Sequence, residues 1–197
     1  MAETAAHPLR LGVISGSVRD VRVGHTVARW VADQAQAHGG FEVDLIDLAE
    51  VGLALTTGEP HHPRLGQYVS EATRAWSERI AACDAFVIVT PEYNHSAPAG
   101  LKNALDLIYT EWNYKPVGFA SYGGISGGLR AVQQFKETVL ALRMVPVVEA
   151  VVAPMVFGQI EGGVFTGNTE QQAGAEAMLS ELRRLAGALQ VLHAVAA

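Results

Sequence analysis

Hydrophobic positions along the chain alternate between short unbroken runs, the mark of buried strands, and the i, i+3, i+4 spacing of amphipathic helices. Leu11–Ser15 is an apolar run closed by Gly16 and reads as a buried strand. From Gly24 to His38, Val27, Trp30, Val31 and Ala35 recur at helical spacing, and Gly39-Gly40 stops that helix. Phe41–Ile46 alternates apolar with acidic residues up to Asp47, which predicts a strand nearer the edge of a sheet. Ala49–Gly66, with three Gly and two Pro, predicts mostly loop. Gln67–Ala82 predicts a helix with Val69, Ala72, Trp76 and Ile80 on one side. Ala85–Val89 has no polar residue and predicts the most buried strand, ended by Pro91. After Pro98 a helix follows, with Leu101, Ala104, Leu105 and Ile108 as its apolar stripe. Val117–Ser121 predicts a strand running into a glycine-rich turn, Gly123–Gly128. Leu129, Val132, Phe135, Val139 and Leu142 then mark another helix, and Pro146–Val152 a last strand. Pro154–Asn168 predicts loop, and the closing helix carries Met178, Leu182, Leu185, Leu189 and Leu192 along one stripe.

Strict alternation of apolar strands with helices implies parallel pairing, because crossover helices cover both faces of the sheet. Right-handed crossovers then give an α/β, doubly wound sheet. Five strands fit the flavodoxin-like order 2-1-3-4-5 better than the six-stranded dinucleotide-binding order. No repeat or linker divides the chain, so residues 1–197 are expected to form one domain, with 1–8 a flexible terminus.

Composition narrows the class. At 197 residues with 49% hydrophobic and 17% charged side chains, the chain has the make-up of a globular domain with its own core. Fourteen basic against 20 acidic side chains give a net charge of −6, which argues against nonspecific nucleic-acid binding. An anionic ligand would therefore need a local cluster of donors acting against the overall field. The single cysteine, Cys83, excludes an intrachain disulfide and any multi-cysteine metal site, and reads as an inert core thiol. Residues 1–10 lack the pattern of a signal peptide, and Arg143, Pro146, Glu149 and Pro154 interrupt the most apolar stretch. A cytoplasmic protein without a membrane span is the expectation.

In a doubly wound sheet, ligands bind beyond the carboxyl ends of the strands. Three loops stand there. The first, Gly16–Gly24, leads into a helix whose N-terminal N–H groups suit an anion; Ser17 adds a hydroxyl, and Arg19 and Arg22 add charge-assisted donors. It matches neither the Walker A loop nor the G-x-G-x-x-G fingerprint. His25 either approaches the same anion or is solvated. The third loop, Gly124-Ile125-Ser126-Gly127-Gly128, fits the G-x-S-x-G nucleophile elbow, but the only later histidine is His193 and no HGGG-type segment lies upstream. His61-His62 have no third ligand nearby in sequence for a metal. Trp112 and Tyr114 either wall a substrate pocket or bury themselves at a subunit contact.

The second loop is the most specific. Pro91-Glu92-Tyr93-Asn94-His95-Ser96-Ala97-Pro98-Ala99-Gly100-Leu101-Lys102-Asn103-Ala104-Leu105-Asp106 closely resembles the P-E-Y-N-x-S-x-P-x-x-L-K-N-A-x-D signature of the NAD(P)H-dependent FMN reductase family, which includes flavin, quinone, azo-dye and chromate reductases. The resemblance extends to Gly118–Gly124 and back to Gly16–Arg19, with the parts in the expected order.

The resemblance implies a noncovalent FMN. Ser17, Arg19, Arg22, Val23 and Gly24 would grip its phosphate. Many relatives carry Ser where this chain has Arg22, and an Arg there still suits a dianion. Pro91, Glu92, Tyr93 and Asn94 would line one edge of the isoalloxazine, and Ser121, Tyr122, Gly123 and Gly124 its far side. Glu92 also reads as a turn cap, Tyr93 as a packed aromatic, and Lys102 with Asp106 as an i, i+4 ion pair or a dimer contact. The implied activity takes hydride from NADPH or NADH onto FMN and delivers it to a small acceptor in ping-pong order, with no catalytic side chain. A flavodoxin-like electron carrier is the non-enzyme alternative. The acceptor stays open among free flavin, quinone, azo compound and metal oxyanion, and the family commonly forms homodimers or homotetramers.

Overall fold

The computed structural model describes residues 8–56 and 58–196, so nearly all of the expected flexible terminus, residues 1–7, lies outside the described residues. Five parallel strands form one sheet: β1 (Leu9–Ser15), β2 (Phe41–Asp47), β3 (Ala85–Pro91), β4 (Pro116–Tyr122) and β5 (Val145–Ala153), in the order β2-β1-β3-β4-β5. This is the flavodoxin-like arrangement expected from the alternation. Every residue of β3 and β4 is buried, as their unbroken apolar runs require, whereas β2 and β5 lie at the edges and show mixed exposure. Pro146, which cannot donate to a ladder, is tolerated on edge strand β5 beside a register shift against β4.

Two cores flank the sheet. On one face, α1 (Gly24–His38) and α6 (Thr169–Ala196) pack Val27, Val31, Met178 and Leu182 against the strands. Close approach of α6 depends on Gly118, where a Cβ would fall 2.6 Å from the Met178 sulfur. On the other face lie α3 (Glu71–Ala81), α4 (Ala99–Asp106) and α5 (Leu129–Ala141). Trp112 sits at the centre of that second core, edge-on to Trp76 and Phe86 with ring centroids 6.1 and 5.0 Å away. Its indole N–H donates to the Leu105 carbonyl. Trp112 is therefore neither a pocket wall nor a subunit contact within this chain; it is a core aromatic that closes the gap before β4. Cys83 is buried as expected, and burial pushes its thiol up to about 11.

Several boundaries differ from the sequence expectation. The segment read as loop after β2 contains a short helix, α2 (Leu48–Val51), because the Asp47 carboxylate accepts from the Ala49 N–H and caps it. Helix α3 starts at Glu71 instead of Gln67, because Glu59 accepts from the Val69 and Ser70 N–H groups and holds that stretch extended. Val69 and Ala72 are consequently exposed, and Thr73 takes the buried position. Leu129 is also exposed, at the mouth of α5. The loop after β5 holds a 3-10 turn (Val156–Gln159) and a small hairpin of β6 (Ile160–Glu161) and β7 (Val164–Phe165), joined by Gly162 and Gly163, both at positive φ. The apolar stripe of α6 fades outward: Met178 and Leu182 are buried, and Leu192 is exposed.

Candidate functional site

The carboxyl ends of β1, β3 and β4 deliver all three loops to one side of the molecule. A cleft of about 230 Å³ opens between them. Ser17, Arg19, Arg22 and Val23 line it from the first loop, Pro91, Glu92 and Tyr93 from the second, and Tyr122, Gly123 and Gly124 from the third. Ten of the thirteen residues singled out in the sequence therefore face one cavity. Gly24 and Ser121 are buried behind its walls, and Asn94 lies outside it.

The first loop is rich in unmatched donors. Among the described residues, none of the backbone N–H groups of residues 17–23 donates to another group. They precede α1, whose dipole points its positive end at the same place. The Arg19 guanidinium stacks on the Tyr93 ring, 3.9 Å from its centroid, and has no acidic partner among the described residues. The Ser17 hydroxyl bonds the Tyr93 hydroxyl at 2.7 Å and also reaches Tyr122. Together these form a cradle of neutral and cationic donors, which suits a phosphate. Gly24 works from behind. A Cβ there would lie 2.2 Å from the Tyr122 hydroxyl, so only glycine lets the buried phenol stand under the loop. Burial pushes the Tyr122 phenol well above its ordinary range, so it stays protonated as a donor.

Arg22 behaves differently from Arg19. Its Nε and one terminal nitrogen donate to a single Asp47 oxygen at 3.3 and 2.7 Å. The bond to Asp47 raises the Arg22 pKa, opposed by burial. His25 turns its Nδ1 to the Arg22 carbonyl at 3.0 Å and stands exposed, on the solvated alternative.

In the second loop, Tyr93 and Ser96 pair across a tight turn, with N–H to carbonyl distances of 2.8 and 3.1 Å. Asn94 and His95 fill its centre at φ 52° and 70°, the left-handed region that asparagine tolerates best among non-glycine residues. Asn94 is thus exposed at the tip, and its side chain holds no wall of the cleft. The Glu92 side chain, only 6% exposed, accepts from the Ser126 hydroxyl at 2.8 Å and from the Arg130 N–H and guanidinium. Burial raises the Glu92 pKa, but the Arg130 and Ser126 bonds outweigh it and hold the group below the usual carboxylate range. Glu92 is a strut between the second and third loops. Lys102 and Asp106 form the i, i+4 ion pair at 2.5 Å.

The third loop is a closed turn. Gly124 accepts from Gly127 N–H at 3.1 Å and from Met155 N–H at 2.8 Å, while Gly123 accepts from Val156 N–H at 3.0 Å. Gly128, at φ 86°, has no room for a Cβ against the Tyr122 backbone at 2.9 Å. Ser121 is buried beneath the turn. The serine of the elbow pattern is bound to a carboxylate and serves as structure. His62 caps a 3-10 turn by accepting from Arg64 N–H, and among the described residues no cluster of three metal-binding side chains occurs.

Three rim residues were not legible in the sequence: Val21, Val156 and Phe157. Val21 and Phe157 are 98% and 76% exposed. Phe157 reaches the cleft because the Gly123 and Gly124 carbonyls dock the segment after β5, a long-range bond with no local signal.

A five-stranded sheet in the order β2-β1-β3-β4-β5, with three loops gathered around one cleft at its carboxyl end, defines a flavodoxin-like α/β protein. Residues 9–158 match the family of NADPH-dependent FMN reductases, and the chain belongs to that family of oxidoreductases. It is 42% identical over 146 residues to the NAD(P)H-dependent FMN reductase of Schizosaccharomyces pombe, covering 72% of both chains. It is 35% identical over 180 residues to one from Nectria sp, covering 85% of this chain and 88% of that one. Among solved structures, FerB, a flavoenzyme NAD(P)H:(acceptor) oxidoreductase from Paracoccus denitrificans, shares the fold with a TM-score of 0.66 at 22% identity, covering 92% of this chain and 98% of that one. Among the described residues, no helix is long and apolar enough to cross a membrane.

Proposed function

We propose that the cleft holds FMN, with the phosphate in the 17–24 cradle and the ring between the 91–94 and 121–124 segments, and that the protein transfers reducing equivalents from NADPH or NADH to a small acceptor in ping-pong order. The observation that carries this reading is the run of unbonded N–H groups over residues 17–23, joined by the Ser17 hydroxyl and the Arg19 guanidinium, facing the same cleft as two ring-sized walls. FMN, when bound, supplies the hydride-accepting and hydride-donating chemistry.

The protein's own groups bind and orient. Arg19 and the N–H groups neutralise the phosphate, and Tyr93 clamps Arg19 in place. Glu92, gripped by Ser126 and Arg130, fixes the Pro91–Tyr93 backbone relative to the glycine turn. The bare backbone of Gly123 and Gly124 lets a flat ring lie close. No side chain in the cleft is placed as a nucleophile, which fits a reaction carried by the cofactor. Val21 and Phe157 at the mouth suit an acceptor with apolar surface, and relatives are named for such acceptors: an NADPH azoreductase of Bacillus sp. and a 2-hydroxy-1,4-benzoquinone reductase of Burkholderia sp. A cytoplasmic homodimer or homotetramer completes the reading, supported by the exposed apolar side chains Ile125, Leu140 and Val148.

Steady-state rates with varied NADPH or NADH against varied naphthoquinone test it. Parallel double-reciprocal lines are expected. Intersecting lines would overturn the ping-pong order, and no nicotinamide oxidation with any acceptor would overturn the activity.

A further inference from the structure

We propose that Asp47 sets the strength of FMN binding by neutralising Arg22, so that the cradle holds the phosphate with one full guanidinium, Arg19, and a second that Asp47 discounts. This inference rests on the cofactor reading above and names the residue that tunes it.

Asp47 ends β2, opposite Ser15 of β1 in the sheet register. Arg22 stands between the cofactor cleft and a second, polar cavity of about 230 Å³ that Ser15, Asp47 and Glu50 help to line. Within that cavity Asp47 uses both oxygens: one caps α2 through Ala49 N–H at 3.0 Å, and the other takes Arg22 at 2.7 Å. The pair is partly shielded, with side chains 19% and 11% exposed, so water does not erase it. Among the described residues Arg22 is the only cation paired with Asp47, and the nearby Ser15 hydroxyl is buried with no partner at all. Arg29 and His25 line the same cavity, and neither forms an ion pair with Asp47.

The consequence is electrostatic. A dianion approaching Arg22 meets a guanidinium whose Nε edge is already satisfied and whose charge is offset by a carboxylate beside it. Only the remaining terminal nitrogen, now on the Arg19 carbonyl at 3.4 Å, is weakly committed. Arg19 carries no such offset. The sequence shows two arginines in one loop; the structure makes them unequal, and the inequality comes from a residue 25 positions away. A cradle moderated in this way suits an FMN that exchanges with solution.

The test is flavin-fluorescence titration of the flavin-free full-length protein with FMN and, separately, with riboflavin, which lacks the phosphate. Asp47→Asn keeps the α2 cap while removing the charge, and Asp47→Ser, another good cap, guards against a folding artefact. Both variants are expected to bind FMN up to about fivefold more tightly than the wild type, with riboflavin unchanged. Arg22→Ala is expected to weaken FMN alone. Unchanged or weaker FMN binding in both Asp47 variants overturns the inference and leaves the cofactor reading standing. A parallel shift for FMN and riboflavin also overturns it, because the effect would then be structural. A wild type that does not prefer FMN to riboflavin overturns the phosphate cradle itself, and the inference with it.

Discussion

The loop after β1 and the turn after β4 occupy equivalent places at the carboxyl end of the same sheet, and they handle their backbone groups in opposite ways. In residues 17–23 no N–H finds a described partner. In the turn after β4, Gly127 and Leu129 donate inward to Gly124 and Ser126 at 3.1 Å each, and the Gly123 and Gly124 carbonyls receive Val156 and Met155. An exposed run of donors is free to take water or a ligand; a self-satisfied turn offers shape. On the proposed cofactor reading, the loop after β1 is the binding element and the glycine turn a wall. Glu92 links that wall to the middle loop.

Four substitutions can break or sharpen that contrast. The largest effect is expected from Arg19→Ala, which removes the unpaired guanidinium from the donor-rich loop and should weaken FMN binding by about 1.5–3 kcal/mol in a fluorescence titration. Unchanged affinity would mean that the backbone alone holds the phosphate. Next comes Gly24→Ala. The Cβ lands 2.2 Å from the Tyr122 hydroxyl, so the phenol must move. Thermal or denaturant unfolding should show a loss of about 1–3 kcal/mol, the usual range for overpacking.

A smaller effect is expected from Glu92→Gln, which weakens the strut without touching the cradle. The folded Glu92 pKa is depressed. Its contribution is therefore present above the ordinary Glu value of about 4.3 and is lost as pH falls through the lower folded value. Near-UV circular dichroism of wild type and variant should differ at neutral pH by the signal of the cleft tyrosines and converge in acid. A difference that persists below that window would show that the carboxylate charge is not what ties the loops. The smallest effect belongs to Ser126→Ala, which removes one bond to Glu92 and is expected to leave nicotinamide oxidation within about twofold, since one hydrogen bond contributes about 1 kcal/mol or less. Abolished activity with FMN still bound would restore the nucleophile-elbow reading of that serine.

The contrast also explains what the sequence disclosed. The strands were legible because burial on both faces leaves no choice but apolar residues, as in Ala85–Val89. The Pro91–Asp106 run and its companions in the other two loops marked the cleft before any geometry was known, and ten of those residues do line it. What stayed hidden depends on partners distant in sequence. Arg22 looks like Arg19 until Asp47 folds beside it. Glu92 lines the cleft as expected, but only the fold shows that α5 turns Arg130 towards it and engages its carboxylate. Asn94 fits a binding motif, yet its positive φ shows that the turn itself requires such a residue. Trp112 had no apolar period around it, and only the closing of the second core reveals where it goes.

The most direct test is an anaerobic visible spectrum of the FMN-reconstituted protein before and after addition of NADPH or NADH. The account predicts loss of the oxidised-flavin bands within the mixing time or seconds after it, and their return when a quinone is admitted. A flavin that binds but keeps its bands with both nicotinamides would contradict the account, leaving a carrier fold in place of a reductase.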